Sequence, residues 1–233
     1  MSISENLASI GQRIRDAASQ HRRDPSLVRL VAVSKTFGPE AVIEAADAGQ
    51  VAFGENYLQE ALEKQAAVAS LRPDLVLEWH FIGPVQSNKT RPIAEHFAWV
   101  HTVDREKIAR RLSEQRPSKL PPLNICLQVN VSGEVSKSGV APNEVLPLAQ
   151  AIHALPQLRL RGLMAIPEPV DHPERQREPF ALLRQLQQHL IEAGIPTDTL
   201  SMGMSADMTA AIAEGATMVR IGSAIFGKRD YAK

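Results

Sequence analysis

The feature of this sequence that most constrains its fold is a regular alternation of short apolar runs with segments of helical periodicity. Eight such runs occur, and each ends at glycine, proline or polar residues, as buried strands do. Strict alternation of strand and helix predicts parallel strands joined by right-handed crossovers. Eight units within 233 residues predict an α/β protein, a single (β/α)8 barrel of the TIM type spanning residues 1–233. An open doubly wound sheet is the alternative.

The predicted strands differ in length but share a content of apolar and β-branched residues. They cover Leu30–Val33, Val51–Gly54, Trp79–Gly83, Phe97–Val103, Leu123–Val131, Leu158–Ile166, Thr199–Met202 and Thr217–Ile221. An extra amphipathic helix precedes the first strand, from Ser4 as its N-cap to about Arg23. Asp104 is the predicted cap of the helix that follows the fourth strand.

Composition and charge restrict the kinds of partner. Lys and Arg number 26, and so do Asp and Glu, which gives no basic excess for nucleic acid. The only cysteine, Cys126, excludes an intramolecular disulfide and lies in a strand-like run, so we expect a buried structural thiol. No apolar run is long enough to cross a membrane, and no signal peptide is recognisable. We expect a cytoplasmic protein without a membrane or nucleic-acid partner.

A lysine, Lys35, lies directly after the first predicted strand. Open sheets and barrels keep their active sites at the carboxyl ends of their strands. Two interpretations follow. The ammonium group extends into water, as lone lysines usually do, or it is partly desolvated and forms a Schiff base with a carbonyl compound.

Two loops that follow the last two strands combine small residues, hydroxyl groups and a helix start. They are Ser201–Met208 and Arg220–Gly227. The loops after strands 7 and 8 are the usual phosphate site of this barrel, and N–H groups at helix starts favour anions. Gly222 allows close approach of a ligand, and Ser205 and Ser223 offer hydroxyl groups. A Schiff-base lysine opposite a phosphate site describes pyridoxal 5′-phosphate (PLP).

Arg220 ends the eighth strand and can face the pyridine nitrogen of that cofactor. A guanidinium there opposes protonation of the ring nitrogen and weakens the ring as an electron sink. The alternative is a salt-bridged arginine at the barrel rim. His80, within the third strand, is expected to be a hydrogen-bonded interior histidine rather than an acid/base group. The other histidines lack metal-ligand spacing, so we predict no metal.

These residues belong to a longer series of motifs. In order they are Val33-Ser34-Lys35, Gly54-Glu55-Asn56, His80-Phe81-Ile82-Gly83 with Gln86, Asn88 and Lys89, Val129-Asn130 with Ser132-Gly133-Glu134 and Lys137 to Gly139, Gly162-Leu163-Met164, Leu200 to Ser205, and Arg220-Ile221-Gly222. The series resembles the pyridoxal phosphate homeostasis protein family from about Leu7 to Tyr231. The resemblance implies a barrel similar to the N-terminal domain of alanine racemase.

The resemblance also assigns residues to the cofactor. It implies PLP held as an internal aldimine on Lys35, Asn56 near the ring and Arg220 at the ring nitrogen. Ser205, Gly222 and Ser223 are assigned to the phosphate. His80, Met164 and Ser201 complete the predicted cofactor-binding set. The family's members are described as carriers or regulators of vitamin B6 and amino-acid balance.

Efficient catalysis is not expected. A two-base racemase needs an acid/base group on each face of the substrate, and alanine racemase takes one from a tyrosine of a further domain. This chain ends at Lys233, and Tyr57 and Tyr231 are not evident opposite-face bases. We therefore expect a monomeric PLP carrier that passes the cofactor to apo-enzymes that use PLP. A low-efficiency racemase or lyase and a cofactor-free Schiff-base aldolase are the alternatives.

Overall fold

The strands close into one barrel in the order in which they occur in the chain. The computed structural model describes residues 2–133 and 138–227. The strands are β1 (Arg29–Val33), β2 (Ala52–Glu55), β3 (Glu78–Phe81), β4 (Trp99–Val103), β5 (Leu123–Gln128), β6 (Leu158–Met164), β7 (Thr199–Ser201) and β8 (Met218–Ile221). Each is parallel to its neighbours, and β8 pairs with β1. The predicted barrel is confirmed, and the open-sheet alternative is wrong.

Helices alternate with the strands around the barrel. They are α1 (Ile3–Gln20), α2 (Pro39–Asp47), α3 (Leu58–Leu71), α4 (Thr90–His96), α5 (Glu106–Gln115), α6 (Val145–His153), α7 (Pro173–Glu192), α8 (Met208–Ala213) and α9 (Ser223–Phe226). The predicted extra N-terminal helix is α1, which packs against α8 and α9. Among the helices of the described residues, none combines the length and the apolar character needed to span a bilayer.

Two predicted helix caps are wrong. The N-cap of α1 is Ser2, not Ser4, because Glu5 stands three residues after Ser2 and completes a capping box. The Ser2 hydroxyl accepts from the Glu5 N–H at 3.2 Å, and the Glu5 carboxylate accepts from the Ser2 N–H at 2.8 Å. Helix α5 begins at Glu106, one residue later than it would with Asp104 as its N-cap, and Arg105 is the N-cap residue.

Apolar side chains pack on both faces of the barrel wall. Phe53, Ile125 and Leu127 are fully buried in the large core between strands and helices. Inside the barrel lies a second, smaller cluster, which consists of Val31, Ala52, Trp99, Cys126, Met164 and Met218. Because successive side chains of a strand point to opposite faces, a strand buried on both faces reads as an unbroken apolar run. Burial raises the pKa of the Cys126 thiol to about 12, as expected of a structural cysteine.

The interior also contains a polar set of side chains. His80 on β3, His101 on β4, Ser201 on β7 and Arg220 on β8 are all buried. Buried polar groups are costly unless they are hydrogen-bonded. We therefore expect these four side chains to have hydrogen-bond partners within the barrel interior.

Candidate functional site

The loops after β1 and β8 meet at the carboxyl end of the barrel. Val31 pairs with Arg220 and Ala32 with Ile221, so Lys35 and Gly222 follow neighbouring strand ends. A Cβ atom at Gly222 would lie 3.2 Å from the carbonyl oxygen of Val33. The missing side chain therefore lets the two loops pack closely, and the predicted lysine and the predicted anion loop are brought to the same end of the barrel.

The turn that contains Lys35 is fixed from outside. Thr36, the next residue, has a φ of 71°, in the left-handed region that β-branched residues rarely adopt. Its N–H donates to Oε1 of Glu60 on α3 at 2.6 Å. This bond stabilises a backbone conformation that is otherwise unfavourable, and it does so one residue from the lysine.

A buried ionic cluster lies behind the same turn. The Lys64 ammonium, 3% exposed, donates to Glu55 Oε1 at 2.6 Å, to Glu60 Oε1 at 2.9 Å and to the Ser34 carbonyl at 2.8 Å. The Ser34 hydroxyl also donates to Glu55 Oε1, at 2.6 Å. Burial raises the pKa of Glu55, although Lys64 opposes that effect. Lys64 is not among the residues predicted from the sequence, where its only signal is its four-residue spacing from Glu60.

Arg220 is buried inside the barrel. Its Nη1 donates to Ser201 Oγ at 2.7 Å, and its Nη2 donates to the Ala165 carbonyl at 3.0 Å. Among the described residues no ion pair includes Arg220, so the salt-bridged alternative is wrong. Burial lowers its pKa to about 10, which leaves the group cationic at pH 7. A guanidinium has five N–H donors, so further donors remain for a ligand.

Two histidines lie next to this arginine's partners. His101 Nδ1 is 2.7 Å from Ser201 Oγ, and its Nε2 is 2.8 Å from His80 Nδ1. His80 Nε2 is 2.7 Å from Glu78 Oε1, and the ring stacks on Trp99. Burial lowers the pKa of both imidazoles. The predicted hydrogen-bonded interior His80 is confirmed. His101 was overlooked, although its spacing of two from Trp99 places both on the same side of β4.

The loop after β7 contains the predicted Ser205. Gly203 has a φ of 100°, and a Cβ atom there would lie 2.7 Å from that of Ala211. Asp207 Oδ1 accepts from the Met204 N–H at 2.6 Å and closes the loop. Ser205 is half-buried, and the predicted Ser223 is exposed at the start of α9. Both hydroxyl groups thus follow strand ends at the carboxyl end of the barrel.

Asn56 follows β2 and is held against the end of β3. A Cβ atom at Gly83 would lie 2.2 Å from the Asn56 carbonyl oxygen, so only glycine permits this approach. Asn56 Oδ1 is buried and has no hydrogen-bond partner among the described residues. An orphaned buried oxygen of this kind suits a ligand donor.

The remaining predicted residues are placed as follows. Met164 is fully buried inside the barrel, in the cluster that contains Cys126. Glu134, Lys137 and Tyr231 lie outside the described residues. Within residues 2–133 and 138–227, no three His, Cys, Asp or Glu side chains are grouped so that they could hold a metal ion. An amine, a guanidinium, hydroxyl groups and an orphaned amide oxygen together fit a phosphorylated aromatic aldehyde such as PLP.

Comparison with known proteins gives the fold class. The family model described as alanine racemase, N-terminal domain, matches residues 6–230. Alanine racemase from Corynebacterium glutamicum superposes with a TM-score of 0.73 at 16% identity, over 99% of this chain and 62% of that chain. At that identity the likeness concerns the fold alone. The molecule is thus a barrel of the alanine racemase N-terminal class.

Closer relatives define the family. The pyridoxal phosphate homeostasis protein of Pseudomonas aeruginosa is 64% identical, over 98% of this chain and 96% of its own length. The pyridoxal phosphate homeostasis protein of Escherichia coli K12 is 53% identical, over 99% of this chain and 98% of its own length. PipY of Synechococcus elongatus, solved with PLP bound, superposes with a TM-score of 0.83 at 37% identity, over 97% of this chain and all of PipY. The chain belongs to the pyridoxal phosphate homeostasis protein family.

Proposed function

We propose that this chain binds PLP at the carboxyl end of its barrel, with the Lys35 amine as the point of attachment. The observation that carries the proposal is the meeting of the Lys35 turn and the Gly222 loop beside a buried guanidinium. The name of the Pseudomonas aeruginosa relative and the PLP in the PipY structure support it.

Besides Lys35, five of the predicted residues have distinct tasks in this proposal. Gly222, Ser223 and Ser205 accommodate the phosphate, because their loops offer N–H and hydroxyl donors after the last two strands. Asn56 and Arg220 contact the ring. When bound, the cofactor supplies an aldehyde that amines can attack and a pyridine ring that can withdraw electrons.

Arg220 favours storage of the cofactor over turnover. Its guanidinium stays charged at pH 7, since its lowered pKa is still about 10. A fixed positive charge beside the ring nitrogen opposes a second one there, which weakens electron withdrawal by the ring. We therefore propose a cytoplasmic, monomeric carrier that contributes to PLP homeostasis by passing the cofactor to apo-enzymes.

The test is cofactor retention followed by transfer. Wild type, Lys35→Ala and Lys107→Ala are incubated with PLP, separated from free cofactor by gel filtration and assayed for bound PLP. Lys107 is an exposed lysine of α5 and serves as the matched control. Wild type and Lys107→Ala should retain PLP and reactivate an apo-enzyme, whereas Lys35→Ala should lose most of its bound PLP during gel filtration.

Two outcomes would contradict the proposal. Equal retention by all three proteins would remove Lys35 from the site. Rapid, stereospecific exchange of amino-acid α-protons with deuterated water would favour the racemase or lyase alternative over a carrier.

A further inference from the structure

A continuous file of hydrogen bonds crosses the barrel interior from Arg220 to the amino end of β3. Arg220 Nη1 contacts Ser201 Oγ at 2.7 Å, and Ser201 Oγ contacts His101 Nδ1 at 2.7 Å. His101 Nε2 contacts His80 Nδ1 at 2.8 Å, and His80 Nε2 contacts Glu78 Oε1 at 2.7 Å. The file therefore begins at a cation and ends at a carboxylate.

The two ends fix the direction of every bond between them when both imidazoles are neutral. Burial lowers the pKa of both imidazoles, which favours the neutral form. A guanidinium can only donate, and an ionised carboxylate can only accept. With neutral rings, all four bonds are satisfied only if Ser201 donates to His101 Nδ1 and each imidazole carries its proton on Nε2. The two histidines then present the same tautomer.

This file links Arg220 to a carboxylate through hydrogen bonds, whereas the Asp207 carboxylate raises the pKa of Arg220 by its charge alone. The guanidinium is buried, and no ion pair of the described residues includes it. A buried charge without a counter-ion is costly, and aligned hydrogen bonds polarise one another in a low dielectric. Glu78, in turn, lies 2.6 Å from the Arg29 guanidinium, which keeps a negative charge at that end.

We propose that Glu78, His80 and His101 are positioning residues that hold the Arg220 guanidinium oriented toward the ring of the bound cofactor. The proposal rests on the proposed PLP site and adds to it a dependence on a carboxylate at the opposite end of the barrel. His80, predicted from the sequence to bind the cofactor, acts through His101 and Ser201 instead.

The tautomers can be measured without the cofactor. Protein labelled with ¹⁵N at histidine is examined by long-range ¹H–¹⁵N correlation NMR at pH 7, with His80→Gln and His101→Gln used for assignment. Both His80 and His101 should be neutral and carry the proton on Nε2. A cationic imidazole, or a proton on Nδ1 of either ring, would overturn the direction of the file.

The effect of the file on PLP binding is tested by a substitution at Glu78, the end opposite Arg220. In Glu78→Gln the amide oxygen still accepts from His80, but the charge is lost. The matched control is Asp198→Asn, which removes a carboxylate that pairs with Arg161 and is not part of the file. We expect Glu78→Gln to weaken PLP binding about three- to tenfold, the difference in strength between a hydrogen bond to a charged group and one to a neutral group. The visible absorption band of the loaded protein should also change.

Asp198→Asn should change PLP affinity by less than about twofold and leave the absorption band unchanged, as expected of a partly exposed pair. Equal effects of the two substitutions, or none from Glu78→Gln, would overturn the positioning role. If Glu78→Gln fails to fold, the NMR measurement on wild type still decides the tautomers. Failure of wild type to bind PLP at all would instead contradict the proposed function, whatever the tautomers are.

Discussion

Lys64→Met is expected to destabilise the fold strongly, because it breaks the ionic cluster behind Lys35. Methionine keeps much of the volume but leaves the Glu55 carboxylate fully buried, with the Ser34 hydroxyl as its remaining donor. Glu55 Oε2 already has no partner among the described residues. Removal of one member of a buried pair costs about 3–5 kcal/mol, which for a chain of this size lowers Tm by roughly 6–20 °C.

The loss of folding stability caused by Lys64→Met should depend on pH. In the folded protein burial raises the pKa of Glu55, so its carboxyl group holds its proton at higher pH than in the unfolded chain. The stability associated with that proton is present below the unfolded pKa, about 4.3, and is lost as pH rises through the folded pKa. Without Lys64 the folded pKa rises further. The free energy of unfolding of Lys64→Met should therefore be only slightly below that of wild type near pH 4 and much further below it at pH 8.

Urea unfolding of wild type and Lys64→Met at several pH values measures this difference. Lys107→Met, on the exposed face of α5, is the control and should stay within about 0.5 kcal/mol of wild type. The double variant Glu55→Gln/Lys64→Met removes the stranded charge and should recover most of the loss at pH 8. A deficit below about 1 kcal/mol at pH 8, or one that does not vary with pH, would refute the reasoning.

Three further predictions concern tight packing. Gly222→Ala places a methyl group 3.2 Å from the Val33 carbonyl oxygen; equilibrium dialysis should show weaker PLP retention, and urea unfolding a loss of only about 1 kcal/mol. Gly162→Ala places its Cβ 1.8 Å from the Thr199 carbonyl oxygen, so pairing of β6 with β7 is disrupted and unfolding should show a loss of about 3 kcal/mol or more. Cys126 should react with a thiol reagent only on unfolding, because burial raises its pKa to about 12; fast labelling of native protein would contradict this.

The barrel and the location of the site followed from short-range patterns. Apolar runs and their breakers are local signals, and the carboxyl ends of parallel strands must meet at one end of a closed barrel. The sequence alone therefore places Lys35 and Gly222 at the same end of the barrel. Their proximity depends on topology rather than on side-chain detail.

The interior network could not be derived in the same way. His101 and Ser201 are 100 residues apart and meet only because β4 and β7 face each other across the barrel. The pairing of Lys64 with Glu55 likewise depends on how α3 packs on β2. Side-chain partners of this kind follow from the closed geometry, which the periodicity of one strand or helix does not specify.

The central claim, attachment of PLP to Lys35, is tested most directly by chemical trapping. Protein loaded with PLP is reduced with borohydride, digested and mapped by mass spectrometry, alongside Lys35→Ala and Lys107→Ala. We predict one predominant modification, on Lys35, that is kept in Lys107→Ala and absent from Lys35→Ala. Modification spread over other lysines, or an unchanged level in Lys35→Ala, would contradict the claim.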